Sequence, residues 1–274
     1  MTIALDAAGK TSFPTDRLTG DARAGVIDRW IYVFTAASFI VFVLAGFVPD
    51  SFGKLAAIQA GQRPPFPFVL HIHAVLMGSF LLLLLAQASL VAAGNRSLHM
   101  RLGIAAAVLV PAIVITGIFL VPAIYHSVWI GAQTAPPPVR QNLQHALTSL
   151  EDIFLLQLRV GVVFSICMAI ALWSRTRHPG THKRLMFVAI ACALPAAFDR
   201  MTWLPTTMPR SPLGPDIYTV LAFSPMLAWD LLRNHRLHRA YVIWAAVFLP
   251  ASVAVYLAWD TPFWHATARQ ILAP

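Results

Sequence analysis

Seven stretches of mostly apolar residues, near 30–48, 68–93, 102–124, 147–173, 185–204, 217–232 and 240–259, each approach the length of a membrane-crossing helix. Such a helix needs roughly 20 residues to traverse a hydrocarbon core about 30 Å thick, and it satisfies its own backbone polar groups on the way. The pattern predicts an all-α fold, a polytopic transmembrane helical bundle of about seven spans in contact with the lipid bilayer. Composition agrees, with 58% of residues hydrophobic and 11% charged. The sixth stretch is short and Pro225 interrupts it. Residues 1–26 have no apolar core and no cleavage-like site, so they read as a flexible cytoplasmic tail and not as a signal peptide. Residues 27–262 form the transmembrane helical domain, and residues 263–274 a short outer C-terminal tail.

Basic residues set the orientation, because lysine and arginine are retained on the cytoplasmic side of short loops. With the N-terminus inside, the inner tail and three inner loops hold 13 of the 20 basic residues and the C-terminus lies outside. None of the 11 acidic residues sits in those loops. The net charge of +9 is therefore a topology signal, and no nucleic-acid partner is expected.

The three inner loops echo one another as SLHMRLG (97–103), GTHKRLM (180–186) and HRLHRAY (235–241). They define three repeated helical hairpins, spans 2–3, 4–5 and 6–7, entering the membrane in the same sense. His99, His182 and His238 occupy equivalent places at the start of each outgoing helix. One reading makes them interfacial residues that contact lipid headgroups. The other makes them an inner metal or anionic-headgroup site, with Asp230 one turn deeper.

Polar groups in the outer half of the spans are expensive in hydrocarbon and default to functional candidates. FPFVLHIHAVLMGSF places His71 and His73 about 200° apart on a helix, and His73 shares a stripe with Met77, Phe80 and Gln87. His145, Asp152 and Arg159 repeat every seven residues and form one polar stripe. Arg159 needs a counter-ion, for which Asp152 and Asp199 are available, and the Arg159–Asp152 pair reads equally as a structural lock on helix packing. His71 or His73, His145, Asp152, Glu151 and Asp199 together predict an outer pocket of two or three imidazoles with a carboxylate. His71, His73 and His145 are its candidate cofactor ligands, and His73, His145, Asp152 and Asp199 its candidate metal set. Imidazole with carboxylate suits zinc, copper or iron, and two facing imidazoles suit a haem b iron.

Other chemistries are excluded by inventory. Lys10, Lys54 and Lys183 are the only lysines, so no last-span Schiff base to retinal exists, and Cys167 and Cys192 read as buried core thiols. No phosphate-binding glycine loop, nucleophile elbow or HExxH motif occurs.

The combination of HIHAVLMGSF, QASLVAAGNRSLHMRLG, RTRHPGTHKRLM and WDLLRNHRLHRAYVIW resembles a family of poorly characterised bacterial inner-membrane proteins. Its members carry a histidine-rich span start, an LHRRLG-like turn and an HKRLM-like turn. The resemblance covers about residues 30 to 245, and here the first turn reads HMRLG in place of HRRLG. The HKRLM-like turn is also similar to one in a haem-copper oxidase assembly factor. The resemblance implies a bacterial cytoplasmic membrane location and association with a respiratory membrane complex. It marks His71, His73, His99, His182 and His238 as positions to follow. Two functions are open at this point: a haem- or metal-binding redox protein, and a transporter or assembly scaffold built on the Asp152/Arg159 stripe.

Overall fold

The computed structural model describes residues 16–18 and 25–272, and among the described residues the regular structure is helical with no strand. In chain order the elements are α1 (Val26–Gln59), α2 (Phe68–Ala92), α3 (Arg96–Leu102), α4 (Ile104–Thr134), α5 (Pro137–Ser174), α6 (Pro179–Ala191), α7 (Pro195–Phe198), α8 (Leu213–Asn234), α9 (Arg239–Ala258) and α10 (Pro262–Leu272). Five helical segments are long and apolar enough to cross a membrane: α1, α2, α3 with α4, α5, and α9. Their outward faces are apolar, with Phe34, Val41, Leu82, Val108, Ile118, Val162 and Leu257 exposed. Lipid covers such surface at no hydrophobic cost, whereas water would not.

Spans five and six of the sequence reading take a different form. The fifth is divided, because α6 ends at Ala191 and Pro195 opens the four-residue α7. Proline lacks an N–H and its ring clashes with the preceding turn, so it starts a helix better than it continues one. The sixth is α8, 22 residues long, which carries Asp216 and Asp230 on its buried side and Arg233 in its last turn. The proline-rich GAQTAPPPVRQ segment also resolves simply. α4 runs to Thr134, and α5 begins at Pro137 in the first helical position, ten residues before the apolar run that predicted it.

The second half of α6 is enclosed, with Phe187, Val188, Ala189, Ile190 and Ala191 all buried in succession. A run apolar on every side belongs in the interior, and this half of α6 follows the basic turn at Thr181–Arg184; α6 packs against α5, α8 and α9 while α7 packs against α1. The α1–α7 approach depends on Gly46, where a Cβ would collide with the Ala197 carbonyl. Gly46→Ala is accordingly expected to cost about 1–3 kcal/mol through overpacking, read as a lower melting temperature in detergent. The two thiols are interior: Cys167 is 0% and Cys192 2% exposed, and the Trp244 indole N–H points at the Cys192 sulfur at 3.2 Å.

Residues 16–18 and 262–272, within segments expected to be tails, are packed on the bundle. Residues 1–15 and 19–24 lie outside the described residues. Asp16 to Leu18 are docked on the bundle, with Leu18 1% exposed, so these three residues are not a free tail. At the other end, the segment read as a short C-terminal tail is α10, which buries Trp264, Ala268 and Leu272 against α5 and α4. Spacing of four places these three on one face, the pattern of an amphipathic helix lying on its neighbours.

Candidate functional site

At the α10 end of the bundle, α5 presents Glu151 and Asp152 on adjacent positions, both buried. The chain leaves α9 through Trp259 and turns at Asp260, whose φ of 54° lies in the left-handed region that aspartate tolerates better than most residues. That turn directs the Asp260 N–H to Asp152 Oδ1 at 3.1 Å and lets Pro262 start α10. The first turn of α10 then returns His265 to α5. Its Nδ1 lies 2.7 Å from Glu151 Oε2, and its Nε2 lies 3.2 Å from Asp260 Oδ1 and 3.9 Å from Asp152 Oδ2. Glu151 is fixed by three further contacts: the Tyr125 hydroxyl donates to Oε1 at 3.3 Å, the Trp264 indole N–H to the Glu151 carbonyl at 2.8 Å, and Arg269 approaches Oε1 at 3.8 Å.

Asp152, Asp260 and His265 can offer three ligand atoms within 4.8 Å of one another. In a tetrahedral site with bonds near 2.0 Å, ligand atoms stand about 3.3 Å apart, so the 3.2 and 3.9 Å separations are of the right size. With its proton on Nδ1 and donated to Glu151, His265 has Nε2 free to ligate, the carboxylate–histidine arrangement that orients metal-bound imidazoles. Burial works to lower the pKa of His265. The hydrogen bonds to Asp260 and Glu151 and the charge of Asp152 outweigh it and raise the imidazole above its ordinary value.

Of the residues expected to build an outer pocket, Glu151 and Asp152 belong to this cluster. His73 Nδ1 is engaged with the Thr116 hydroxyl at 2.9 Å, and its ring lies beside Gly117, whose carbonyl accepts from Gln157 at 3.4 Å. His145 is exposed on α5, twelve residues and therefore about 18 Å along the axis from that level. His71 is exposed and packs edge-on to Phe66 at 6.1 Å. These three imidazoles do not form the facing pair that an axially ligated haem iron needs. Asp199 caps α7, beside Arg200 and within the field of Lys54, away from Asp152 and its partners. His265 escapes the sequence pattern because 263–274 has the composition of a short tail. The Asp260–Thr261–Pro262 helix start and the Trp264, Ala268, Leu272 spacing were the available signals.

Arg159 also has a different partner. Its two terminal nitrogens donate to the two carboxylate oxygens of Asp216 at 2.6 Å each, and one of them also reaches the Ser252 hydroxyl at 3.2 Å. The Tyr256 hydroxyl donates to Asp216 at 2.9 Å, and the Phe248 ring covers the guanidinium at 5.2 Å. Asp152 cannot serve, because residues seven apart on one helix stand about 10.5 Å apart along its axis. Asp216 lies in the first turn of α8, where the helix dipole favours a carboxylate. The pair joins α5, α8 and α9.

Of the three loop histidines, His182 and His238 are engaged locally and His99 Nδ1 is buried with no partner among the described residues; the three do not converge on a metal. His182 Nδ1 meets the Ala171 carbonyl at 2.8 Å, and His238 caps α9 by accepting from the Ala240 N–H at 3.1 Å. His99 is half-buried on α3, and the Asp152, Asp260 and His265 group is the only one with metal-ligand spacing among the described residues. Asp230, expected near them, is held by Arg184 and Asn234.

No family profile, curated protein or solved structure matches this chain.

Proposed function

We propose that this is a metal-handling integral membrane protein that binds a divalent transition metal ion at the α10 end, through Asp152, Asp260 and His265, with Glu151 orienting the imidazole. The single observation carrying this reading is the use of both ring nitrogens of His265: Nδ1 on Glu151 at 2.7 Å and Nε2 directed to two carboxylates. One imidazole with two carboxylates is a donor set suited to zinc, manganese or iron, and a tetrahedral ion there keeps one position for water or a substrate. The proposal includes seven spans in three hairpins, with the basic turns and N-terminus in the cytoplasm and α10 on the periplasmic side of a bacterial inner membrane. The distribution of 13 of 20 basic residues supports that orientation. The proposed link to a respiratory complex draws only on the HKRLM-like turn.

Elemental analysis and zinc or manganese titration of detergent-purified protein test the reading. Stoichiometric metal that binds reversibly is the expected result, and protein free of metal that takes up none from micromolar solutions would reject it. Glu151→Gln should keep the ligands and weaken metal binding about 10- to 100-fold, as loss of an orienting partner does.

A second reading, solute or proton transport through the bundle, is favoured by the Arg159–Asp216 pair joining α5 and α8. Uptake measured in proteoliposomes with Arg159→Leu as the control tests it, and uptake indifferent to that substitution would remove its support.

A further inference from the structure

At the opposite end of the bundle, beside the basic turns, one carboxylate collects an unusual number of donors. Arg184 donates to both oxygens of Asp16, at 2.9 and 3.0 Å, and Lys183 Nζ lies 2.9 Å from Oδ2. The Asn234 amide reaches Oδ1 at 3.4 Å, as does the Leu18 N–H at 3.1 Å within the same short segment. The Arg184 side chain is wholly buried, and Asp16 comes from 168 residues away.

Arg184 and Asn234 are placed without help from Asp16, while Lys183 Nζ also donates to the Leu18 carbonyl of the same short segment. Arg184 is held by Asp230 through Nε and through a second nitrogen at 2.7 Å, and by the Gly180 carbonyl at 3.0 Å. Asp230 also fixes Asn234 at 2.6 Å. Gly180 leaves room for the carboxylate, since a Cβ there would stand 3.0 Å from Asp16 Oδ2 and 3.2 Å from His238 Nε2. Lys183, Arg184 and Asp230 alone sum to one positive charge, and Asp16 brings the sum to zero. Burial opposes ionisation of Asp16, yet Arg184 and Lys183 hold its carboxyl well below the usual range. Burial pushes His238 down to about 4, so it adds no charge at neutral pH. A second feature marks the place as a polar ligand site. The Tyr32 hydroxyl, on a side chain that is 8% exposed and whose ring carries Lys183 Nζ at 5.4 Å, has no hydrogen-bond partner among the described residues.

We propose that Lys183, Arg184 and Asn234 form a binding site for a small organic carboxylate, and that Asp16 occupies it in cis as a tethered substitute for that ligand. A buried, net-positive fork with preset geometry is what bidentate carboxylate recognition requires. Ligand and N-terminal segment then compete, so binding releases residues 16–18 from the bundle.

Full-length Asp16→Ala and Asp16→Asn, purified in detergent, test this with sodium acetate as the probe and sodium chloride at equal ionic strength as the control. Acetate should raise the melting temperature of both variants saturably, with apparent affinity at least about tenfold above that for the unaltered protein. Should a variant be unstable in chloride, recovery of monodisperse protein in acetate alone is the same result. Equal response of variants and unaltered protein, no response of either variant, or phosphate outcompeting acetate would each overturn the assignment.

Discussion

Asp216→Asn is expected to destabilise the detergent-solubilised protein by about 3–5 kcal/mol, because it leaves the Arg159 guanidinium buried without a counter-charge. Arg159→Leu should cost a similar amount by stranding Asp216, whose remaining donor is the Tyr256 hydroxyl at 2.9 Å. The double substitution Arg159→Leu with Asp216→Leu should recover most of the loss, since replacing a buried pair by apolar side chains is often neutral. Thermal unfolding of the three variants reads the coupling directly. Asp152→Asn is the control: its carboxylate accepts from the Asp260 N–H and does not touch Arg159, so its effect should add to the others without coupling. Coupling of Asp152 to Arg159, with none for Asp216, would return the pairing to α5 itself.

His265→Ala should reduce zinc affinity by more than the 10- to 100-fold typical of an orienting residue, because it removes a ligand and frees the Glu151 carboxylate together. Binding should also depend on pH in a defined direction. The metal takes the neutral imidazole, while the surrounding carboxylates raise the His265 pKa above its ordinary 6.5. Affinity should therefore fall as pH drops through that raised value, beginning at a higher pH than an isolated histidine would give. Titrations between about pH 5.5 and 8.5 check this around the ordinary histidine pKa. An affinity unchanged in His265→Ala would place any bound metal elsewhere.

The apolar runs made the helical class legible, because helix length and lipid thickness are matched by physics that does not depend on partners. α6 and α8 were harder to read. The second half of α6 is apolar because α5, α8 and α9 surround it, and α8 carries two carboxylates because Arg159 and Arg184 await them. Local sequence does not distinguish burial in protein from burial in lipid. The candidate site was legible only at Glu151 and Asp152. Periodicity along α5 correctly ranked that face as polar, yet it favoured partners on the same helix, whereas the partners arrive from the α9–α10 turn. The pairing of Asp216 with a residue 57 positions earlier depends on tertiary packing. His265 was one histidine among ten, and although Asp260–Thr261–Pro262 marks a helix start, the return of that helix onto α5 depends on tertiary packing.

The interior placement of Cys167 and Cys192 makes the chain nearly silent toward membrane-impermeant maleimides. A single cysteine introduced at exposed Ser97, in the first basic turn, or at exposed Thr206, in the loop before α8, would be the dominant reactive sulfur without removal of either native one. Labelling of intact cells against opened vesicles then reads the sidedness of each end from a background that the fold itself keeps quiet.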